Sequence, residues 1–190
     1  MVIRPAEIRD LQSVLEIYNE AVLNTVATFD TEARSMPQQR AWFEHHDERH
    51  PVLVAEEGGD VLGWASLSVW SDRRAYDDTA EISLYVRHDR RGRGIGKALL
   101  AAVVEAGRSR RLHTIIARIA GGNEISIHLH RSAGFIPIGV MREVGLKFGK
   151  RIDVHLMQWI CPPRVGDAGA ERPAGGRKGK SGENGDADRT

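Results

Sequence analysis

The sequence has 190 residues, 41% of them hydrophobic and 28% charged, with a formal net charge of +1. That length suffices for one domain with a buried core, and the near-neutral balance gives no reason to expect a nucleic acid or a membrane surface as partner. A single cysteine, Cys161, excludes an intramolecular disulfide framework and fits a reducing cytosol, and no apolar stretch approaches signal-peptide or membrane-span length, so a soluble cytoplasmic protein is expected.

In chain order, Val2 to Arg4 reads as a short strand. Asp10 stands at the N-cap position of a helix that carries Leu11, Val14, Leu15, Tyr18 and Val22 on one face. Met36 to His46 is helical in pattern, with Pro37 in its first turn. Pro51 to Glu57 and Val61 to Val69 are apolar runs on either side of Gly58-Gly59-Asp60, a hairpin signal. Ala80 to Val86 alternates as a half-buried strand, and a glycine-arginine turn then leads into a helix through Lys97, Leu99, Leu100, Val103 and Val104. His113 to Ile119 reads as a strand and Glu124 to Ser132 as a helix, with closing strands around Phe135 to Val144 and Ile152 to Ile160. Strands and helices interleaved in this way predict an α/β domain with a mixed sheet over residues 1–161. Residues 162–190 hold almost no large apolar side chain after Val165. Such a segment buries too little surface to offset its ordering entropy, and a disordered polar tail is expected.

The segment Arg91-Gly92-Arg93-Gly94-Ile95-Gly96-Lys97 lies between a strand and a helix. Its glycines let backbone amides approach a ligand and allow positive φ, and the helix that follows adds free N–H groups and the positive end of its dipole. The turn therefore suits a pyrophosphate, with Arg91, Arg93 and Lys97 adding charge. A P-loop is excluded, because Arg91 stands where its first glycine belongs and Ala98 where Ser or Thr must follow the lysine. The dinucleotide fingerprint fails on glycine spacing. An RNA-binding Arg-Gly segment is disfavoured by the apolar helix directly after it. Arg/Gln-x-x-Gly-x-Gly, the pyrophosphate signature of the GNAT acetyltransferase superfamily, resembles Arg91 to Gly96 closely.

Three further segments resemble the phosphinothricin and methionine-sulfoximine branch of that superfamily, in order and spacing. They are Trp70 to Val86, with Arg73-Arg74-Ala75-Tyr76-Asp77; Asn123 to Phe135, with Ser126, His128-Leu129-His130 and Ala133-Gly134-Phe135; and Gly145 to Asp153. The resemblance spans Ile3 to Trp159. It implies a GNAT fold, with a mixed, mostly antiparallel sheet of about seven strands flanked by four helices, and a homodimer. It also implies acetyl-CoA as donor for the α-amino group of a small amino-acid-like substrate such as methionine sulfoximine, methionine sulfone or phosphinothricin. Carried over residue by residue, it runs the pantetheine arm along Leu84, Tyr85 and Val86, seats the pyrophosphate on Arg91 to Lys97, and brings Asn123 and Ser126 to the second cofactor segment. Lys147 falls in the hairpin near the substrate end.

Acetyl transfer needs a neutral nitrogen, yet an α-amino group is largely protonated below a pKa of about 8. A base must take that proton, directly or through a water. Glu81 is the candidate: strand alternation sends it to one face with Ser83 and Tyr85, and the resemblance places the branch's base there. A backbone amide near Val86 is placed to stabilise the oxyanion. His130 stands where many superfamily members carry a tyrosine that protonates the departing thiolate, so its role stays open between donating to sulfur, orienting the amine and sharing in deprotonation. Phe29, Arg73, Arg74 and Tyr76 are pocket candidates, the arginines because a guanidinium fork pairs with carboxylate or phosphinate oxygens. His46 and His50 have helix-pair spacing, but Pro51 follows and no third ligand is evident, so no metal is expected. Other amines (a polyamine, an aminoglycoside, a protein N-terminus) and an acetyl-CoA-binding regulatory module without turnover remain as rival readings.

Overall fold

The apolar runs and amphipathic stretches become seven strands and four helices in the computed structural model, which describes residues 1–162. In chain order these are β1 (Val2–Pro5), α1 (Leu11–Asn24), α2 (Met36–Glu44), β2 (Val52–Glu57), β3 (Asp60–Val69), β4 (Thr79–Val86), α3 (Ile95–Ser109), β5 (Thr114–Ala120), α4 (Glu124–Ser132), β6 (Ile136–Lys147) and β7 (Lys150–Ile160). The tail expected from 162 onward lies, apart from Pro162, outside the described residues.

The strands form one sheet in the order β1-β2-β3-β4-β5-β7-β6. Only β4 and β5 run parallel, joined by a crossover through α3; every other neighbouring pair is antiparallel. This is the mixed, mostly antiparallel sheet that the sequence predicts. On one face, Leu99, Leu100 and Val103 of α3 pack on Leu67, Ile82, Ile115 and Met157. On the other, Val14, Ile17, Tyr18 and Val22 of α1 cover Val54 and Trp64, with Trp42 of α2 at their edge.

Local signals explain the helix starts. Ser35 and Gln38 make a reciprocal capping box at α2, with Pro37 in the first turn. Asp10 precedes α1 as expected but does not cap it. A 3-10 turn over Ile8–Asp10 intervenes, and the Asp10 carboxylate accepts the Glu7 amide at 2.7 Å and both terminal nitrogens of Arg4 at 2.7 and 2.8 Å. Arg4 holds that buried carboxyl below the usual carboxylate range.

Candidate active site

The site arises from an interruption in the sheet. β4 and β5 are paired only from Thr79↔Thr114 to Ile82↔Ala117. From Ser83 onward β4 loses its partner on that side, while β5 continues along β7 to Ala120. The strands part and leave a cleft of about 370 Å³. Its walls are Glu81 to Tyr85 of β4, Ala117 to Ala120 of β5, Asn123, Ser126 and His130 at α4, and Tyr18 with the 27–30 segment after α1. Met141 and Val144 close it from β6.

Glu81 lies one residue before the ladder ends, and its carboxylate faces into the cleft. Arg118, its neighbour on β5, grips it through Nε and Nη2 at 2.5 and 2.7 Å. Across the cleft, His130 is 4% exposed and stands edge-on to Phe135, with ring centroids 5.0 Å apart. Its Nδ1 sits 2.8 Å from the Ser126 carbonyl. A carbonyl only accepts, so Nδ1 carries the hydrogen and Nε2 keeps a lone pair. Burial pushes His130 below the ordinary imidazole value, and the Ser126 carbonyl opposes this. Burial therefore favours the neutral ring, whose Nε2 is the accepting nitrogen.

The Asn123 side chain serves first as the cap of α4, accepting the Ser126 amide at 3.2 Å. Tyr85 lies in the cleft wall between Tyr18 and Trp64, at centroid distances of 5.2 and 4.9 Å, and burial drives its hydroxyl well above the usual range. Tyr18 donates to Asp30 at 2.6 Å; burial and then that carboxylate push it up to about 12. The Arg34 guanidinium lies 4.4 Å above the Tyr18 ring.

The glycine-rich turn follows β4 directly. Gly92 and Gly94 have φ of 76° and 80°, in the left-handed region that a glycine enters without strain. Gly94 occupies the N-cap position of α3, and no side chain caps that helix. Its first amides thus stay free for an anion. Arg91, Arg93 and Lys97 are all exposed on this turn, and Arg91 also folds back on its strand, donating from Nε to the Val86 carbonyl at 3.2 Å and reaching Glu20 at 3.5 Å. An uncapped helix, two left-handed glycines and a strand edge without a partner fit a pyrophosphate followed by an extended arm.

Of the residues singled out in the sequence, the cleft brings together Phe29, Glu81, Leu84, Tyr85, Asn123, Ser126 and His130. Val86 and the Arg91–Lys97 turn continue from its β4 wall. Arg73, Arg74 and Tyr76 stand exposed on the turn between β3 and β4, outside the cleft lining. Lys147 also lies outside it: its buried ammonium donates to the Thr28 carbonyl at 2.8 Å and so straps β6 to the 27–30 segment. The sequence reading passed over Arg118, Tyr18, Met141 and Val144. Arg118 left a signal, since it is the one charge within the apolar run Thr114 to Ala120. Alternation puts it on the face of its strand that Glu81 occupies on the neighbouring one.

Residues 11–135 match the acetyltransferase (GNAT) family, about two thirds of the chain. The protein belongs to that family, and it is an acetyl-CoA-dependent N-acetyltransferase of the amino-acid branch. It is 42% identical over 163 residues to the L-methionine sulfoximine/L-methionine sulfone acetyltransferase of Pseudomonas aeruginosa, covering 85% of this chain and 95% of the relative. Among solved structures, a GNAT superfamily phosphinothricin acetyltransferase from Sinorhizobium meliloti in complex with acetyl-CoA superposes with a TM-score of 0.82 at 38% identity, over 84% of this chain and 88% of the other. The ribosomal-protein-alanine N-acetyltransferase of Brucella melitensis does so with the same TM-score at 41% identity, over 84% and 99%.

Proposed function

We propose that the protein acetylates the α-amino group of a free amino-acid-like substrate, such as methionine sulfoximine, methionine sulfone or phosphinothricin, with Glu81 as the base. The observation that carries this reading is the Glu81 carboxylate, set in the cleft where β4 and β5 part and reachable from solvent. The Pseudomonas relative's name supports the substrate class.

Acetyl-CoA supplies an acetyl group held as a thioester. The free amides at the start of α3, with Arg93 and Lys97, hold its pyrophosphate. The unpaired edge of β4 from Ser83 to Val86 offers main-chain groups to the arm, and Asn123 and Ser126 face it from α4. Glu81 attracts the substrate ammonium and accepts its proton, directly or through a water. His130 Nε2 is a second acceptor that orients the amine, and once protonated it would be a donor for a departing thiolate. Phe29, Met141 and Val144 give the side-chain end of the pocket an apolar wall. Arg73, Arg74 and Tyr76 precede the Glu81 strand and are assigned to the substrate rim, while Lys147 acts through the strap that holds the 27–30 wall. The setting is the cytosol, where Cys161 stays a thiol.

The active form in this reading is a homodimer. Ile136, Ile138, Val140, Val144, Leu146 and Phe148 are each 38% or more exposed, all on or just after the edge strand β6. A contiguous apolar edge of this kind marks a protein contact.

Thiol release from acetyl-CoA tests the chemistry, with methionine sulfoximine, phosphinothricin, methionine sulfone, spermidine and an alanine-initiated peptide as acceptors. Amino-acid analogues should turn over, and Glu81→Gln should lower kcat by about 10²- to 10⁴-fold, the range for losing a general base. The Brucella similarity makes the peptide the serious competitor. Turnover of the peptide alone would replace the substrate class, and an undiminished Glu81→Gln enzyme would remove the base.

A further inference from the structure

Glu81 occupies only one edge of the Arg118 guanidinium. Nε and one Nη2 hydrogen go to the two carboxylate oxygens. Nη1 and the second Nη2 hydrogen form a parallel fork with no protein acceptor among the described residues. The Arg118 side chain is 52% exposed and lines the cleft. Among the described residues no other arginine, and no lysine, lines it; the remaining charged side chains there are Glu81 and Asp30. We propose that the free edge of Arg118 is the subsite for the substrate's α-carboxylate, with the amino group of the same molecule set against Glu81. This rests on the amine-acetylating reading given above.

The case is one of matched charge and spacing. In an α-amino acid the ammonium and the carboxylate hang from one carbon, so the molecule carries two opposite charges side by side. The cleft presents the complement: a carboxylate on β4 and a guanidinium on β5, locked together by two charged hydrogen bonds. Carboxylate oxygens fit a guanidinium edge in pairs, and Arg rather than Lys offers that geometry. Glu81 fixes the plane of Arg118, so little side-chain freedom is lost when a second carboxylate arrives. Stability alone does not account for the pair, because half-exposed ion pairs contribute little to folding. The subsite also defines a substrate class. Polyamines, amino-acid amides and peptide N-termini bring the amine without a neighbouring anion, and they would leave the Arg118 fork unfilled.

The test compares methionine sulfone with its α-carboxamide and its methyl ester, using wild type, Arg118→Gln and Arg118→Lys. Wild type should prefer the free acid by about 10- to 100-fold in kcat/KM, as expected when a charged hydrogen-bonded partner is lost. Arg118→Gln releases Glu81 as well and should slow both substrates, but it should cost the acid a further factor of similar size and so bring the preference close to one. Arg118→Lys should restore part of it. Equal use of acid and amide by wild type would overturn the proposal while leaving the acetyltransferase standing. So would an Arg118→Gln enzyme that loses both substrates in proportion, the behaviour of a residue that merely holds Glu81. If no acceptor is turned over, calorimetry with methionine sulfone in the presence of CoA decides: binding that needs both the carboxylate and Arg118 upholds the subsite, and its absence removes it.

Discussion

The two halves of the sheet use the same apolar residues to opposite ends. β2 and β3 are sandwiched, with α1 and α2 on one face and α3 on the other, so Leu53, Val54, Trp64 and Ala65 are all under 8% exposed. β6 is as rich in Ile, Val and Leu, yet among the described residues no helix covers it and most of its apolar side chains are exposed. A continuous hydrophobic run thus means burial on both faces when helices flank it in space. On an edge strand the same run means a partner or a ligand. The cleft lies at the seam between them, where β4 and β5 part; β5 and β7 are still buried in the core, and β6 is the strand left bare.

The contrast can be broken from either side. Leu99 of α3 is fully buried against the sandwiched half; Leu99→Ala should cost about 3 kcal/mol, read as a fall in Tm and in the denaturant midpoint. Leu146, 60% exposed on β6, should behave in the opposite way. Leu146→Glu should shift sedimentation from dimer to monomer and leave the stability of the monomer within about 0.5 kcal/mol; a dimer that survives the charge would place its interface elsewhere. The smallest effect sits at the seam. Burial lowers the folded-state pKa of His130 from the ordinary 6.5, so below 6.5 the unfolded chain binds a proton that the folded chain resists. Stability should therefore decline as pH drops from 6.5 through the lowered value, then level off. His130→Gln should flatten that decline in part, His46 contributing the remainder with the same sign.

How much was legible in the sequence depended on how local the cause was. The hairpin around Gly58-Gly59-Asp60, the α4 span and the glycine-rich turn before α3 are fixed by neighbours a few residues apart, and their conformations were readable. Strand alternation and motif order carry the positions of Glu81 and His130, which both line the cleft. Sheet order was less accessible: β7 inserts between β5 and β6, and nothing in the hairpin Lys147–Lys150 announces which of its strands faces inward. Asp10 shows the same limit, since its partner Arg4 lies on a strand whose position depends on β2. The Arg73–Tyr76 turn carries the side chains a carboxylate calls for, but tertiary structure leaves it outside the cleft and puts Arg118 inside. Residue type marks chemical capacity, and only register decides where that capacity is used.

Gly145 shows what the fold imposes on sequence freedom. Most of β6 is exposed, and its own packing within the chain restricts few of its side chains. At position 145 an added Cβ would run into the Phe29 ring, and β6 has already shifted register between Met141 and Gly145 to approach it. The restriction thus comes from a segment more than a hundred residues earlier in the chain. In a saturation library selected for activity, position 145 should admit glycine alone, and substitutions that shrink Phe29 should be the ones that reopen it.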